Sequence, residues 1–166
     1  RSMFYFTENL LNYSKLFVND TQQDFKPLDL HHLVARKMDI FSEAGVHHNI
    51  TFKNEIEKGT LVHTNGLILS VIIHNLLDNA VKFSANGEVV FSTLKTANGV
   101  TLVMTDEGAG LPPEIVDWLN FSKGKEVSNG LGLKMIKELA PKIKVSIKAE
   151  RLTKGTRFEL YFAQMA

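Results

Sequence analysis

The chain has 166 residues, 44% of them hydrophobic and 22% charged, with a formal net charge of +1. That length allows one domain with a sizeable core, and the near-neutral balance excludes a basic nucleic-acid footprint as the main theme. With no cysteine, disulfides and thiolate metal sites are excluded, which fits a reducing compartment. No apolar run is expected to reach a membrane span, and no signal peptide opens the chain.

Residues 3–18 carry Phe6, Leu10, Leu11 and Phe17 at roughly helical spacing. Arg1 and Ser2 begin abruptly within that pattern, so a piece of a longer protein is expected. Pro27 disfavours helix at Lys26, which places a linker at about 19–27. Asp29 is a candidate N-cap for a second helix, with Leu30, Leu33, Val34, Met38 and Phe41 as its apolar stripe and Gly45 as its C-cap. The alternation Ile50, Phe52, Asn54, Ile56 predicts a strand. Gly59 turns it, and residues 61–63 are expected to pair briefly before a central helix over 65–83.

That central helix has two faces. At about 100° per residue, Leu69, Ile72, Ile73, Leu76, Leu77 and Ala80 fall on one broad apolar side. Asn75, Asn79 and Lys82 lie at i, i+4 and i+7 within a wedge of roughly 60° on the other side, with no carboxylate between them. Amide oxygens can ligate Mg2+ and the ammonium can meet phosphate oxygens. The plain wet side of a surface helix would look the same.

Asn86-Gly87 opens a strand at 88–95, and Asn98-Gly99 closes a hairpin to 100–105. Residues 106–130, rich in Gly, Pro, Ser and Lys, read as a long loop with a short helical piece near 114–119. A helix over 131–139 ends before Pro141. Residues 145–152 and 157–162 close the chain as a hairpin through Thr153-Lys154-Gly155. The order predicts an α+β fold, a two-layer α/β sandwich whose mixed, mostly antiparallel sheet of about five strands carries about three helices on one face. The helix at 3–18 lies outside this unit and is expected to pack on a partner.

Two further clusters could carry chemistry. Asp106-Glu107-Gly108-Ala109-Gly110 follows the apolar run Val100–Met104, so the Asp106 carboxylate leaves the sheet beside glycines that let a ligand approach the backbone. A strand-ending turn uses the same residues. Gly130-Leu131-Gly132-Leu133 opens a helix whose free N–H groups favour phosphate, although a lone GxG is a weak signal and no P-loop is present. Ser122-Lys123-Gly124-Lys125 before it forms a short basic stretch, a lid or simply a solvated loop. His31, His32, His47, His48, His63 and His74 form no metal-ligand set, and His74 reads as a boundary residue between the two helix faces. No nucleophile motif is present.

Together the clusters resemble the catalytic ATP-binding domain of sensor histidine kinases, in the superfamily that also holds gyrase and MutL. The run from His74 to Ser84, HNLLDNAVKFS, is similar to the N box. Asp106–Pro112, DEGAGLP, resembles the G1 box, and Gly130–Met135, GLGLKM, the G2 box. Gly155-Thr156-Arg157-Phe158 is similar to the closing Gly-Thr turn. The resemblance covers about 28–163 and implies the Bergerat-type fold there. Residues 1–20, with Asn9-Leu10-Leu11-Asn12-Tyr13-Ser14, look like the remnant of a dimerisation helix and the start of a linker.

The resemblance implies roles. Asp106 accepts the adenine amino group and Asn79 ligates Mg2+. Asn75 contacts metal or phosphates and Lys82 contacts phosphate, both as catalytic residues. Phe83 borders the nucleotide, Gly108 and Gly110 line the base pocket, and Leu111 and Thr156 are among the nucleotide contacts. Gly130 and Gly132 offer backbone room and donors to phosphate, with Leu131, Leu133 and Lys125 among the nucleotide contacts. The cofactors implied are ATP and Mg2+.

Departures from the family pattern are also visible. Ser128 stands where the G2 box usually has a further glycine, the lid is short, and Trp118–Phe121 only loosely matches the family's phenylalanine-rich segment. None of the six histidines is a phosphoacceptor followed by an acidic residue. The acceptor is therefore expected on the protein's own dimerisation domain, outside these residues. The further partners implied are a second subunit, as a homodimer of the full-length protein, and the receiver domain of a response regulator, with no nucleic acid. The implied location is a cytoplasmic domain of a membrane-anchored parent. ATP-hydrolysing branches place a glutamate base where this chain has Asn75, which cannot take a proton near neutral pH, so negligible ATPase activity is expected. The competing expectations are a non-catalytic nucleotide-binding or scaffold module of the same fold, and a serine kinase of the anti-sigma type.

Overall fold

The structure, a computed structural model, describes residues 24–84, 86–121 and 131–164. The helix expected at 3–18 lies outside them, as do Lys125, Ser128 and Gly130. Strand β1 (Phe25–Asp29) leads into helix α1 (Leu30–His47), and strands β2 (Ile50–Asn54) and β3 (Leu61–Asn65) follow. Asp29 caps α1 as expected. Its Oδ1 accepts the His31 N–H at 2.9 Å, and its Oδ2 accepts the Gly59 N–H at 3.0 Å. One carboxylate thus closes both the helix start and the turn before β3.

Two expectations fail here, for stated reasons. The stretch assigned to a linker at 19–27 is partly strand, because β1 pairs antiparallel with β3 in a separate two-stranded sheet, Pro27 opposite His63. An edge ribbon tolerates the missing N–H of proline. Gly45 does not end α1, which runs on to His47 with His48 as its cap. Gly45 is buried, and a Cβ there would collide with the Phe52 ring, so the glycine serves close packing.

Helix α2 (Gly66–Phe83) is the central helix, capped by Asn65 Oδ1 on the Ile68 N–H at 3.1 Å. Strands β4 (Gly87–Thr96) and β5 (Gly99–Thr105) form the expected hairpin. Helix α3 (Pro113–Phe121) occupies more of the long loop than the short piece foreseen. Helix α4 (Leu131–Leu139), a 3-10 turn (Ala140–Ile143) and the hairpin β6 (Val145–Arg151) and β7 (Thr156–Ala163) complete the order.

The main sheet has the order β2-β4-β5-β7-β6, with β2 parallel to β4 and the other pairs antiparallel. It is the mixed five-stranded, mostly antiparallel sheet that the sequence predicts. Helix α2 lies between α1 and α4, and α3 packs against β6. Ile68, Leu69, Ile72, Ile73, Leu76 and Leu77 are all 0% exposed, packed in one core with Phe91, Leu102, Met104 and Leu160 of the sheet. Burying each such side chain contributes roughly 1.5–3 kcal/mol. Contrary to expectation, α2 is long and apolar enough, by length and composition, to cross a membrane. Its burial marks it as the core helix of this domain.

The edge of β6 is covered by a side chain. Asn120 of α3 donates Nδ2 to the Ala149 carbonyl at 2.8 Å and accepts the Ala149 N–H on Oδ1 at 2.7 Å. The carboxamide takes the place of a neighbouring strand on this edge.

Candidate functional site

The last turn of α2, the end of β5 and the start of β7 meet around a cavity of about 230 Å3. Asn79, Phe83, Asp106, Gly110, Leu111 and Thr156 line it, which brings together six residues that the sequence singled out. A larger cavity of about 710 Å3 lies at the other end of the sheet, between β1–β3 and the β4–β5 turn. It holds none of the three sequence clusters, so size alone does not mark the site.

Asp106 is the most constrained of the six. Its Oδ1 accepts the Gly108 N–H at 3.0 Å and the Thr156 N–H at 3.2 Å. Its own N–H donates to the Thr156 carbonyl at 3.0 Å. Burial pushes the carboxyl above its ordinary value, and the two amides and the Ser84 hydroxyl oppose that rise. Both backbone amides meet one oxygen, and a carboxylate has about four acceptor positions, so capacity remains for a ligand's donor.

Two neighbours make this geometry possible. Gly155 has φ of 99°, and a Cβ there would run into the Asp106 carbonyl. Thr156 can approach Asp106 only because glycine precedes it. The Thr156 hydroxyl then accepts the Leu111 N–H at 3.0 Å, and Arg151 Nη1 donates to the Leu111 carbonyl at 3.3 Å. The wall of the cavity is thus tied to the β6–β7 hairpin at several points. In the sequence, Ser84 enters only as the last residue of the N-box run, with no role, and nothing local marks Arg151.

The polar side of α2 divides. Asn79 is half-buried and lines the cavity, and its Nδ2 is enclosed with no hydrogen-bond partner among the described residues. Phe83 is 55% exposed at the cavity mouth. Asn75, by contrast, is 2% exposed and donates Nδ2 to the Val71 carbonyl at 2.9 Å. It sits between α2 and α4, where a Cβ on Gly132 would lie 3.1 Å from Asn75 Oδ1 and 3.8 Å from Asn79 Oδ1. The start of α4 therefore leans on both asparagines.

Lys82 is not a free cation in this structure. Its Nζ pairs with Asp78 Oδ2 at 2.9 Å. The wedge itself holds no carboxylate, but Asp78 stands at its edge, one turn before Lys82. Leu133 turns into the core at 1% exposure, so it supports the site rather than lining it. Gly108 acts through its N–H on Asp106. Lys125 and Gly130 fall outside the described residues, and nothing is assigned to the Leu131 side chain.

His74 is not a boundary residue but a buried one, at 4% exposure, with its ring 4.9 Å from that of Phe41. Burial lowers its pKa to about 4, with the Lys37 cation adding to the shift and Asp78 opposing it. No group of three or more His, Cys, Asp or Glu side chains suited to a metal occurs among the described residues. A cation here would have to draw on carboxamide oxygen and on ligands brought by a bound molecule.

Residues 64–165 match the family described as histidine kinase-, DNA gyrase B-, and HSP90-like ATPase. The sensor protein QseC of Salmonella typhi is 31% identical over 140 residues, covering 80% of this chain and 30% of QseC. The chain therefore spans less than a third of that relative's length. Among solved structures, the histidine kinase AdeS of Acinetobacter baumannii aligns with a TM-score of 0.77 at 18% identity, covering 96% of this chain and 77% of that one. The catalytic domain of histidine kinase ThkA aligns at 0.75 and 20% identity, covering 84% of this chain and 96% of that one. At those identities the structural matches show the shared fold.

Proposed function

Since the chain belongs to the histidine kinase-, DNA gyrase B- and HSP90-like ATPase family, we propose that residues 28–163 bind ATP with Mg2+ and present its γ-phosphate to a histidine supplied from outside them. One observation carries the reading. Asp106 is held at the cavity wall by the Gly108 and Thr156 amides, in the same cavity as Asn79 and Phe83.

The chemistry follows from donor and acceptor. A carboxylate fixed in this way accepts from the exocyclic amine of adenine and repels the carbonyl that guanine carries in its place. The cavity, at about 230 Å3, suits a planar base rather than a whole nucleotide, since pockets that enclose drug-sized ligands run to about 300–1,000 Å3. The phosphates then extend toward the end of α2 and the start of α4. There the enclosed Asn79 Nδ2 has no partner among the described residues, which suits a phosphate oxygen, and the amide oxygen suits Mg2+. Bound Mg2+ would neutralise charge on the phosphates. Asn79 is the protein ligand we assign to it.

Asn75 is buried and has no basic nitrogen or oxygen, so it cannot activate water. The acceptor imidazole needs no such base, because its neutral form is already nucleophilic. Slow hydrolysis and efficient transfer are therefore compatible in one site. The acceptor belongs to the protein's own dimerisation domain in a homodimer, and the phosphoryl group passes on to a response-regulator receiver domain. We assign the domain to the cytoplasmic side of a membrane-anchored parent.

Calorimetric titration with ADP and a non-hydrolysable ATP analogue, with and without Mg2+, tests the site. Magnesium-dependent binding is expected, and no binding at millimolar nucleotide would sink the reading. Phosphotransfer to an added acceptor helix then separates a kinase domain from a scaffold.

A further inference from the structure

We propose that Asp78 sets how strongly the site depends on Mg2+, by competing with the nucleotide phosphates for the Lys82 ammonium. The proposal rests on the nucleotide reading above and extends it to a residue outside the lining of the cavity.

At about 100° per residue, the polar side of α2 places Asp78 at one edge, Lys82 about 40° further round, then Asn75 and Asn79. Lys82 thus stands between a carboxylate and the carboxamide that lines the cavity. Its side chain is 51% exposed, against 26% for that of Asp78, so the lysine is the freer partner to move. The structure shows the first arrangement, Nζ to Asp78 Oδ2 at 2.9 Å. An exposed pair at i, i+4 is a weak restraint, screened by salt. A polyphosphate offers more charge and more acceptors than one carboxylate, so a bound nucleotide draws the ammonium away.

The consequence depends on the metal. A metal-free triphosphate relies on protein cations to offset its charge, whereas a Mg2+-bound one shares that task with the ion. Competition from Asp78 therefore weakens metal-free binding more than metal-bound binding. The carboxylate acts through Lys82, which makes Asp78 a positioning residue and a filter for the metal-loaded nucleotide.

Titration of a non-hydrolysable ATP analogue, with Mg2+ and with a chelator in its place, tests this on four proteins. They are the wild type, Asp78→Asn, Lys82→Met and the double variant. Asp78→Asn is expected to bind the metal-free analogue about twofold to fivefold tighter than wild type. Its affinity with Mg2+ should change less, so the gain in affinity on adding metal shrinks. In the Lys82→Met background the Asp78→Asn gain should vanish. Asp78→Ser replaces Asp78→Asn if the latter lacks a cooperative thermal transition.

Metal-free affinity no tighter in Asp78→Asn overturns the proposal. A gain of equal size without Lys82 also overturns it, because net charge alone would then explain the effect. Wild-type protein that binds no nucleotide with Mg2+ removes the nucleotide reading, and this proposal with it. Wild-type binding with an unchanged Asp78→Asn variant removes the proposal alone.

Discussion

Two neighbouring regions of the candidate site are built in opposite ways. The Asp106 side is made of backbone: two amides on one carboxylate oxygen, and a Thr156 hydroxyl on the Leu111 amide. The Lys82 side, outside the lining of the cavity, is made of side chains alone, a half-exposed lysine paired with a carboxylate one turn away. Backbone donors hold a single geometry and suit recognition of a flat, invariant base. Exposed charges adapt, and suit a flexible phosphate chain whose charge changes with its metal. Between the two stands Asn79, enclosed like the first side and set on the helix of the second.

The sharpest way to break the contrast is Gly155→Val. A β-branched residue at φ of 99° against the Asp106 carbonyl strains the backbone that aims the Thr156 amide. A loss of about 3 kcal/mol or more in stability is expected from strain plus overpacking, with nucleotide binding abolished. Urea denaturation and calorimetry together check this, and an intact site in a stable variant would show that the Asp106 side is not rigid.

Acid should strike the α2 side next. His74 is buried with a pKa of about 4, below its unfolded value of about 6.5. The unfolded chain binds the proton first, so stability falls as pH drops from about 6.5 toward 4 and levels off below that. The loss is on the order of 3 kcal/mol, at about 1.4 kcal/mol per unit. His74→Gln should flatten that part of the curve. Equal pH dependence in denaturant titrations of both proteins would contradict it.

Asp106→Asn comes third. Removing a charged acceptor should cost about 1.5–3 kcal/mol in nucleotide affinity, roughly tenfold to a hundredfold. The loss should be nearly independent of salt, since the site is enclosed. Unchanged ADP affinity would mean that adenine lies elsewhere.

The smallest effect belongs to Lys82→Met. An exposed ammonium contributes about 1 kcal/mol or less, and its contribution should fade between low and physiological salt. A large, salt-independent loss would place Lys82 on the rigid side of the comparison and erase the distinction.

Local pattern carried a good deal of this site. The spacing of Asn75, Asn79 and Lys82 and the Asp106-to-Gly110 run were visible as short-range chemistry, and the Gly155-Thr156 turn through the family resemblance. Asp29 as a helix cap, the β4–β5 turn and the end of α4 before Pro141 were equally legible, whereas Asn65, placed at the start of the central helix, is its cap. Period and turn chemistry depend on neighbours within a few positions. The misreadings share another cause. Gly45 resembles a C-cap until Phe52 is placed against it. Residues 25–27 resemble a linker until β3 pairs with them.

By itself, then, the sequence determined which residues are chemically able to hold adenine, phosphate and metal, because that ability resides in side-chain type and helical spacing. Tertiary structure decided which of them are buried, enclosed or paired. It buried Asn75 under α4, turned Leu133 inward, depressed His74 and gave Lys82 a carboxylate partner. It also brought the Thr156 amide to Asp106 across 50 residues. Burial and long-range approach are properties of packing between distant elements, and no window of local sequence contains them.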